Sequence, residues 1–301
     1  MAAPLVIGVD VGGTTIRSGI VDREGTILAR YEAESPGGSE DDVLQALDEA
    51  VEAVLGDEIG AIGFGVPANL DRRTGRVLRS INLEFDDFGL VGHARRRFGL
   101  RAGVENDGNA ATLAEWKLGA GRGTSNLVLL TLGTGVGGGI VLGDRIYRGW
   151  AEIGHMVVLA NGPPCEGHCH GRGHVEALCS GTAADRGARE LWGTDADARM
   201  LVERAREGDE AARARLAEIG EFLGAAIGSL ANLFDPELVL IGGGFGEAAG
   251  DLVLEPAQVA ARREALAPAD GTLRVLPAEL GGEAGLVGAA LIGFEVLDGP
   301  R

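Results

Sequence analysis

Two of the chain's three cysteines and three of its five histidines fall within ten residues, CEGHCHGRGH at 165–174. Thiolate and imidazole are the donors that zinc takes, and a polar loop without metal is the competing reading. Glycines mark the next candidates. In DVGGTT, residues 10–15, Gly12 and Gly13 stand at a strand turn, where glycine lets backbone N–H groups approach an anion closely. Thr14 and Thr15 add hydroxyl donors, and Asp10 could orient water around a bound Mg2+. GTGVGG, residues 133–138, matches G-x-G-x-x-G. The stretch after it, GIVLGDRIYRG, alternates and turns like a hairpin where a dinucleotide fingerprint requires a helix, so a second phosphate-binding hairpin is the better reading. IGGG, residues 241–244, ends a strand and could hold the adenosine or α-phosphate end of a nucleotide.

The carboxylates are spread along the chain. Asn106-Asp107 in VENDGNAA lies at a strand-to-helix junction, the rim of a sheet, where α/β proteins bind ligands; capping the next helix is the plainer role for Asp107. Glu152 and His155 in AEIGH form a second group, and Glu176 adds a third acid. Sugar-binding sites use such sets of carboxylates and amides, because each hydroxyl must find a partner as it loses water.

Composition limits what these residues could serve. The 301 residues are 45% hydrophobic, enough for two lobes, and carry a formal net charge of −18, which argues against nucleic acid and anionic membrane surfaces as partners. No basic n-region opens the chain, and the uncharged stretch 126–143 reads as two strands around a turn rather than a membrane span. Three cysteines argue for reduced thiols and a cytoplasmic protein. The one lysine, Lys117 in EWKLGAG, fits neither a Walker A loop nor a protein-kinase lysine. Bound phosphates would have to be neutralised by backbone amides, threonine hydroxyls and Mg2+, with Arg17 as the candidate cation.

The elements that position these residues repeat. LVIGVDVGGTTIRSGIVDREGTILAR reads as three strands with glycines at the first turn, and SEDDVLQALDEAVEAVLG as a helix capped by Ser39. IGAIGFGVPA and RAGVE read as strands, and DGNAATLAEWKLG as a helix. SNLVLLTLGTGVGGGIVLGDRIYRG then repeats the three-strand theme, followed by helices over 181–192, 197–207 and 209–234, the strand PELVLIGGG and a last helix over 285–297. Two α/β halves, each with a glycine-rich hairpin, predict two lobes with a nucleotide between them.

Taken in order, GVDVGGTT, GFGVPANLD, SINLEF, VENDGNAATLAEWKLGAGRG, LTLGTGVGGGIV, AEIGHM, VEALCSGTA and LVLIGGG resemble the ROK family of bacterial sugar kinases and related repressors over nearly the whole chain, and most closely its glucokinases. The resemblance implies an α/β, two-lobed actin/hexokinase-like ATPase fold. Its ribonuclease H-like lobes would be residues 1–107 with a C-terminal helix at about 285–301, and residues 108–284. A homodimer is a further implication. The implied reaction is ATP-dependent phosphorylation of glucose at its 6-hydroxyl. Fructokinase, N-acylhexosamine kinase and polyphosphate glucokinase are alternatives, as is a sugar-sensing repressor. A repressor carries a helix-turn-helix ahead of the first phosphate loop, for which a loop starting at Asp10 leaves no room.

By the same resemblance Asp107 is the catalytic base. Asn82, Asn106, Glu152, His155 and Glu176 join it in holding the sugar. Asp10, Gly12, Gly13, Thr14 and Thr15 form the first phosphate loop; Gly133, Thr134, Gly135 and Gly137 form the second; Gly243 and Gly244 belong to the adenosine site. Thr15 stands where many members carry Lys. The family pattern around a structural Zn2+ implies His155, Cys165, Cys169 and His174 as ligands, with a His in place of the last Cys and two extra residues before Cys169. Cys2His2 is an ordinary tetrahedral zinc set, and cysteines four apart are not a redox C-x-x-C. His168 and His170 are the rival ligands.

Overall fold

The computed structural model describes residues 4–36, 39–71, 73–80, 86–165 and 169–299. The chain divides into two compact units, Met1–Leu118 with Glu283–Arg301, and Gly119–Gly282.

In the first unit, β1 (Leu5–Val11), β2 (Thr15–Val21) and β3 (Ile27–Glu34) form the expected antiparallel meander. Helix α1 (Glu40–Glu52) comes next, with Ser39 and Asp42 forming a reciprocal capping box that satisfies two backbone donors at its start. Strand β4 (Ile59–Val66) pairs in parallel with β1. A small antiparallel sheet, β5 (Ala68–Asp71), β6 (Arg76–Ser80) and β7 (Asp86–Phe88), leads to α2 (Leu90–Phe98). Strand β8 (Arg101–Asn106) completes the main sheet in the order β3-β2-β1-β4-β8, and α3 (Asp107–Leu118) leaves its end.

The abundance of glycine has a packing cause here. Gly19, Gly8, Gly63 and Gly103 lie opposite one another across four neighbouring strands. The C-terminal helix, Ala284–Asp298, sits on this row. A Cβ on Gly63 would come 1.8 Å from the Ala289 carbonyl, and one on Gly8 would come 2.4 Å from that of Leu286, so the helix can approach only a strip without side chains. Helix α3 is seated by the same means, Gly288 facing the Ala110 backbone. It therefore belongs to the first unit, and the division falls after Leu118 rather than after Asp107. Ile7, Val9, Ile62 and Phe64 fill the opposite face of the sheet with Val43 and Leu47 of α1.

The second unit opens with β9 (Leu127–Leu132) and β10 (Val136–Val141), antiparallel as expected. The third strand of the predicted repeat is reduced to one bridge, Val141 to Ile146. The Tyr147 N–H still donates to the Ile140 carbonyl at 2.7 Å, but beyond it Trp150 is exposed and no apolar alternation continues to bury a face. A short 3-10 turn, Ile153–His155, and the metal-candidate loop lead to α4 (Val175–Cys179), α5 (Gly181–Trp192), α6 (Ala198–Glu207) and α7 (Glu210–Phe234). Strand β11 (Leu238–Gly242) is followed by α8 (Gly244–Ala249), α9 (Asp251–Glu264), α10 (Ala269–Thr272) and β12 (Arg274–Pro277). The sheet order is β10-β9-β11-β12.

Helix α7 is long and apolar enough to cross a membrane by length and composition alone. In the fold it is the core helix of this unit. Leu216, Ile219, Leu223, Ile227 and Leu230 are buried, and Gly220, Gly224 and Gly228 lie against the backbone of α9.

Candidate active site and metal centre

In the first unit the parallel strands carry the acids to one edge of the sheet. Asp10, near the end of β1, is in register with Gly65 of β4, and Gly65 with Glu105 of β8; Asp107 lies two residues further along the chain. Gly65 places no side chain between the two aspartates. Burial first, then the Asp107 charge, pushes the Asp10 carboxyl up from 3.8 to about 6, and Arg17 beside it works in the opposite direction. Gly285, in the first turn of the C-terminal helix, lies directly against Asp10, since a Cβ there would fall 2.6 Å from the carboxylate carbon. The hairpin is closed by the Gly12 N–H donating to the Thr15 carbonyl at 2.8 Å, and the Thr14 carbonyl accepts from the Ser35 N–H at 2.9 Å. Carboxylate oxygens are the donors that suit a hard divalent cation such as Mg2+.

The junction at Asp107 is built by its neighbours. Asn106, not Asp107, takes the capping role, its Oδ1 accepting from the Asn109 N–H at 3.2 Å. Asp107 Oδ1 accepts from the Gly108 N–H at 2.9 Å. Beneath them Glu105 is 2% exposed, and its Oε1 accepts from the Asn106 N–H and from Asn109 Nδ2. Glu105 and Asn109 were not among the expected site residues. The signal for them is an acid and an amide flanking the Asn-Asp pair in a stretch otherwise apolar.

In the second unit the tip of the β9–β10 hairpin is tied down by α4 and α5. The Gly181 N–H donates to the Gly133 carbonyl at 2.7 Å, and Thr182 Oγ1 donates to the Thr134 carbonyl at 2.7 Å. Glu176 Oε2 accepts from the Val136 N–H at 3.0 Å. Gly135 is pressed on that carboxylate, and Gly137 lies against the Thr131 side chain. The segment Gly181-Thr182 was missed as a site element; only the motif VEALCSGTA pointed to it. Glu152 is exposed at the start of the 3-10 turn. Gly243, at φ 83°, passes over the Leu132 backbone where a Cβ would collide, and Gly244 opens α8 with free space around it. Asn82 lies outside the described residues.

The described parts of the loop, 156–165 and 169–174, pair with one another. Gly173, at φ 63°, feeds its carbonyl to the N–H groups of Val158 and Leu159, and the Cys165 N–H donates to the Gly171 carbonyl. This gathers His155, Cys165, Cys169 and His174, whose ligand atoms all lie within 4.8 Å of one another. His174 Nδ1 is 3.1 Å from Cys165 Sγ and 3.6 Å from Cys169 Sγ, and the Gly171 N–H points at Cys169 Sγ at 3.4 Å. His155 Nδ1 is buried without a hydrogen-bond partner among the described residues. An orphaned imidazole nitrogen beside two sulfurs and a second imidazole fits a tetrahedral Zn2+. Burial, and then Cys169, pushes the Cys165 thiol up to about 11 in the protein alone; a divalent cation is what would hold it as thiolate. His170 is exposed and outside the cluster, and His168 lies outside the described residues. Cys179 is a buried thiol directed at the Ile219 carbonyl.

The chain matches the ROK family over residues 6–295. It is 36% identical to a glucokinase of Streptomyces coelicolor, over 95% of this chain and 96% of that one. A ROK family glucokinase of Streptomyces griseus, solved in complex with glucose and AMPPNP, superposes with a TM-score of 0.85 at 35% identity, covering 97% of this chain and 99% of the other. A ROK hexokinase of Thermus thermophilus gives a TM-score of 0.83 at 36% identity, covering 98% and 100%. The sheet orders and these likenesses together establish the actin/hexokinase-like fold. With its fold, its motifs and nearly its full length in agreement, the chain belongs to the ROK family.

Proposed function

We propose that the chain is an ATP-dependent glucokinase that transfers the γ-phosphoryl group to the 6-hydroxyl of glucose. The observation that carries this is the pair of carboxylates, Asp107 at the start of α3 and Asp10 across Gly65, in a chain 35% identical to a glucokinase solved with glucose and AMPPNP. Asp107 takes the proton from the attacking hydroxyl, and Asn106, Glu152, His155 and Glu176 hold the other hydroxyls. Glu105 and Asn109 hold the Asn106–Asp107 backbone in place. Mg2+, when bound, neutralises charge on the phosphates. Asp10 contributes the carboxylate that would hold it, and the amides of the two hairpins take the phosphate oxygens. Gly243 and Gly244 leave room for the nucleoside. The zinc ligands His155, Cys165, Cys169 and His174 orient the His155 ring and the start of α4, and so Glu176. The protein acts in the cytoplasm as a homodimer, a second copy covering exposed Trp150, Val157 and Leu159; light scattering that returns a monomer at working concentration would remove that part.

A coupled assay decides the reaction. Glucose, mannose, fructose, N-acetylglucosamine and N-acetylmannosamine are each offered with ATP or polyphosphate. Glucose with ATP is expected to give the highest kcat/KM; a clear preference for another sugar or for polyphosphate overturns the assignment.

A further inference from the structure

Thr182 takes no part in the phosphoryl transfer itself, yet it fixes the hairpin assigned to the phosphates. A trans peptide unit carries its C=O and N–H on opposite sides. The Gly133 carbonyl is held toward α5 by the Gly181 N–H, so the Thr134 N–H of the same unit points away from α5. The Thr134 carbonyl is held toward α5 by the Thr182 hydroxyl, so the Gly135 N–H points away as well. The third unit is held at both ends. The Gly133 N–H donates to the Gly135 carbonyl at 2.9 Å, and the Val136 N–H donates to Glu176 Oε2 at 3.0 Å.

Three consecutive peptide planes are thus set by four hydrogen bonds. The N–H groups of Thr134 and Gly135 have no partner among the described residues. Two adjacent amides aimed the same way form an anion cradle that needs no reorganisation when the ligand arrives. The weak point is the unit between Thr134 and Gly135. A peptide that precedes glycine flips at little cost, because the glycine accepts positive φ. Only the Thr182 hydroxyl holds that carbonyl among the described residues.

We infer that Thr182 is a positioning residue for the nucleotide: its hydroxyl locks the Thr134–Gly135 peptide so that the Gly135 amide faces the phosphate chain. This rests on the kinase reading. Thr182→Val keeps the shape and removes the hydroxyl; Thr182→Ser keeps the hydroxyl. Both variants and the wild-type full chain are titrated by calorimetry with Mg-AMPPNP and, separately, with glucose. Thr182→Val is expected to weaken AMPPNP about tenfold, the scale of one hydrogen bond to a charged group, and to leave glucose affinity within about twofold. Thr182→Ser is expected to restore the wild-type value. Equal AMPPNP binding by wild type and Thr182→Val overturns the inference alone. Parallel loss of both ligands, or no recovery in Thr182→Ser, also overturns it, since a general packing role would behave so. A wild-type chain that binds glucose and no AMPPNP overturns the kinase reading and the inference with it.

Discussion

The two hairpins look alike in sequence and are built in opposite ways. In the first unit the carboxylate belongs to the hairpin, as Asp10, and the glycine that makes room for it belongs to a helix, as Gly285. In the second unit the glycine belongs to the hairpin, as Gly135, and the carboxylate to a helix, as Glu176. A Cβ on Gly135 would fall 2.3 Å from Glu176 Oε2, as one on Gly285 would fall 2.6 Å from Asp10. The same close approach therefore does two jobs. Asp10 keeps a charge that its surroundings resist, which suits a cation. The Glu176 carboxylate already receives a backbone N–H, which fixes the hairpin's amides. One hairpin offers charge and the other offers backbone.

The largest effect should come from the carboxylate side. Asp107→Asn keeps the bond to the Gly108 N–H but cannot accept a proton, so kcat should fall about 10²–10⁴-fold with glucose affinity nearly unchanged. Steady-state kinetics on a folded variant tests this. More than half of wild-type kcat would mean that another group is the base.

Next come the paired glycines. Gly285→Ala should displace Asp10, and Gly135→Ala should displace Glu176 together with the Val136 bond. A shift of about 1 Å in a reacting group can cost about 100-fold. The comparison predicts different signatures: Gly285→Ala should raise the Mg2+ requirement, whereas Gly135→Ala should raise the KM for ATP at saturating Mg2+. Identical kinetic phenotypes would erase the distinction drawn between the hairpins.

Legibility in the sequence divides along the same line. Glycine clusters, the Ser39 cap and the Asn106-Asp107 junction are local signals, and they located β1–β2, α1, β8–α3 and β9–β10. The contributions of Gly285 and Thr182 depend on partners distant in the chain that tertiary packing brings to them, whereas Glu105 acts on its own neighbours, Asn106 and Asn109. The α8–α9 region stays obscure for a different reason. Gly250, at φ 53°, splits the two helices, and Pro256 sits inside the second, so no clean helical period survives in the sequence. The metal ligands fall between these cases: the Cys and His types are visible and the family pattern points to His174, and the loop's fold then sets it apart from exposed His170.

Metal removal should have a smaller effect on the second unit's chemistry. Plasma mass spectrometry should find one zinc per chain, lost in Cys169→Ala and retained in His170→Ala. Freeing the His155 ring and the start of α4 should weaken glucose binding about 10–100-fold, the usual scale for disturbed support around a metal site. Because Glu176 also holds the Val136 amide, AMPPNP affinity should fall too, by less. A zinc-free wild-type protein with full affinity for both ligands would break the proposed link between the loop and the hairpin.

The smallest effect is thermodynamic and belongs to Asp10. Its carboxyl is raised from 3.8 to about 6, chiefly by burial, so the native state favours the protonated form. Between those values the folded protein holds a proton that the unfolded chain releases. The resulting stabilisation is full below pH 3.8 and is lost as pH rises through 6. Asp10→Asn removes the ionisation. Relative to wild type the variant should therefore gain about 2 kcal/mol between pH 4.5 and pH 7.5, while turnover collapses because an amide is a poor ligand for Mg2+. Denaturant unfolding across that range measures the gain, and kcat/KM of the wild type should show an acid limb near pH 6 that the free enzyme's Asp10 explains. If the stability difference between variant and wild type stays flat with pH, Asp10 does not carry the strained charge, and the contrast between a charged hairpin and a backbone hairpin fails at its first residue.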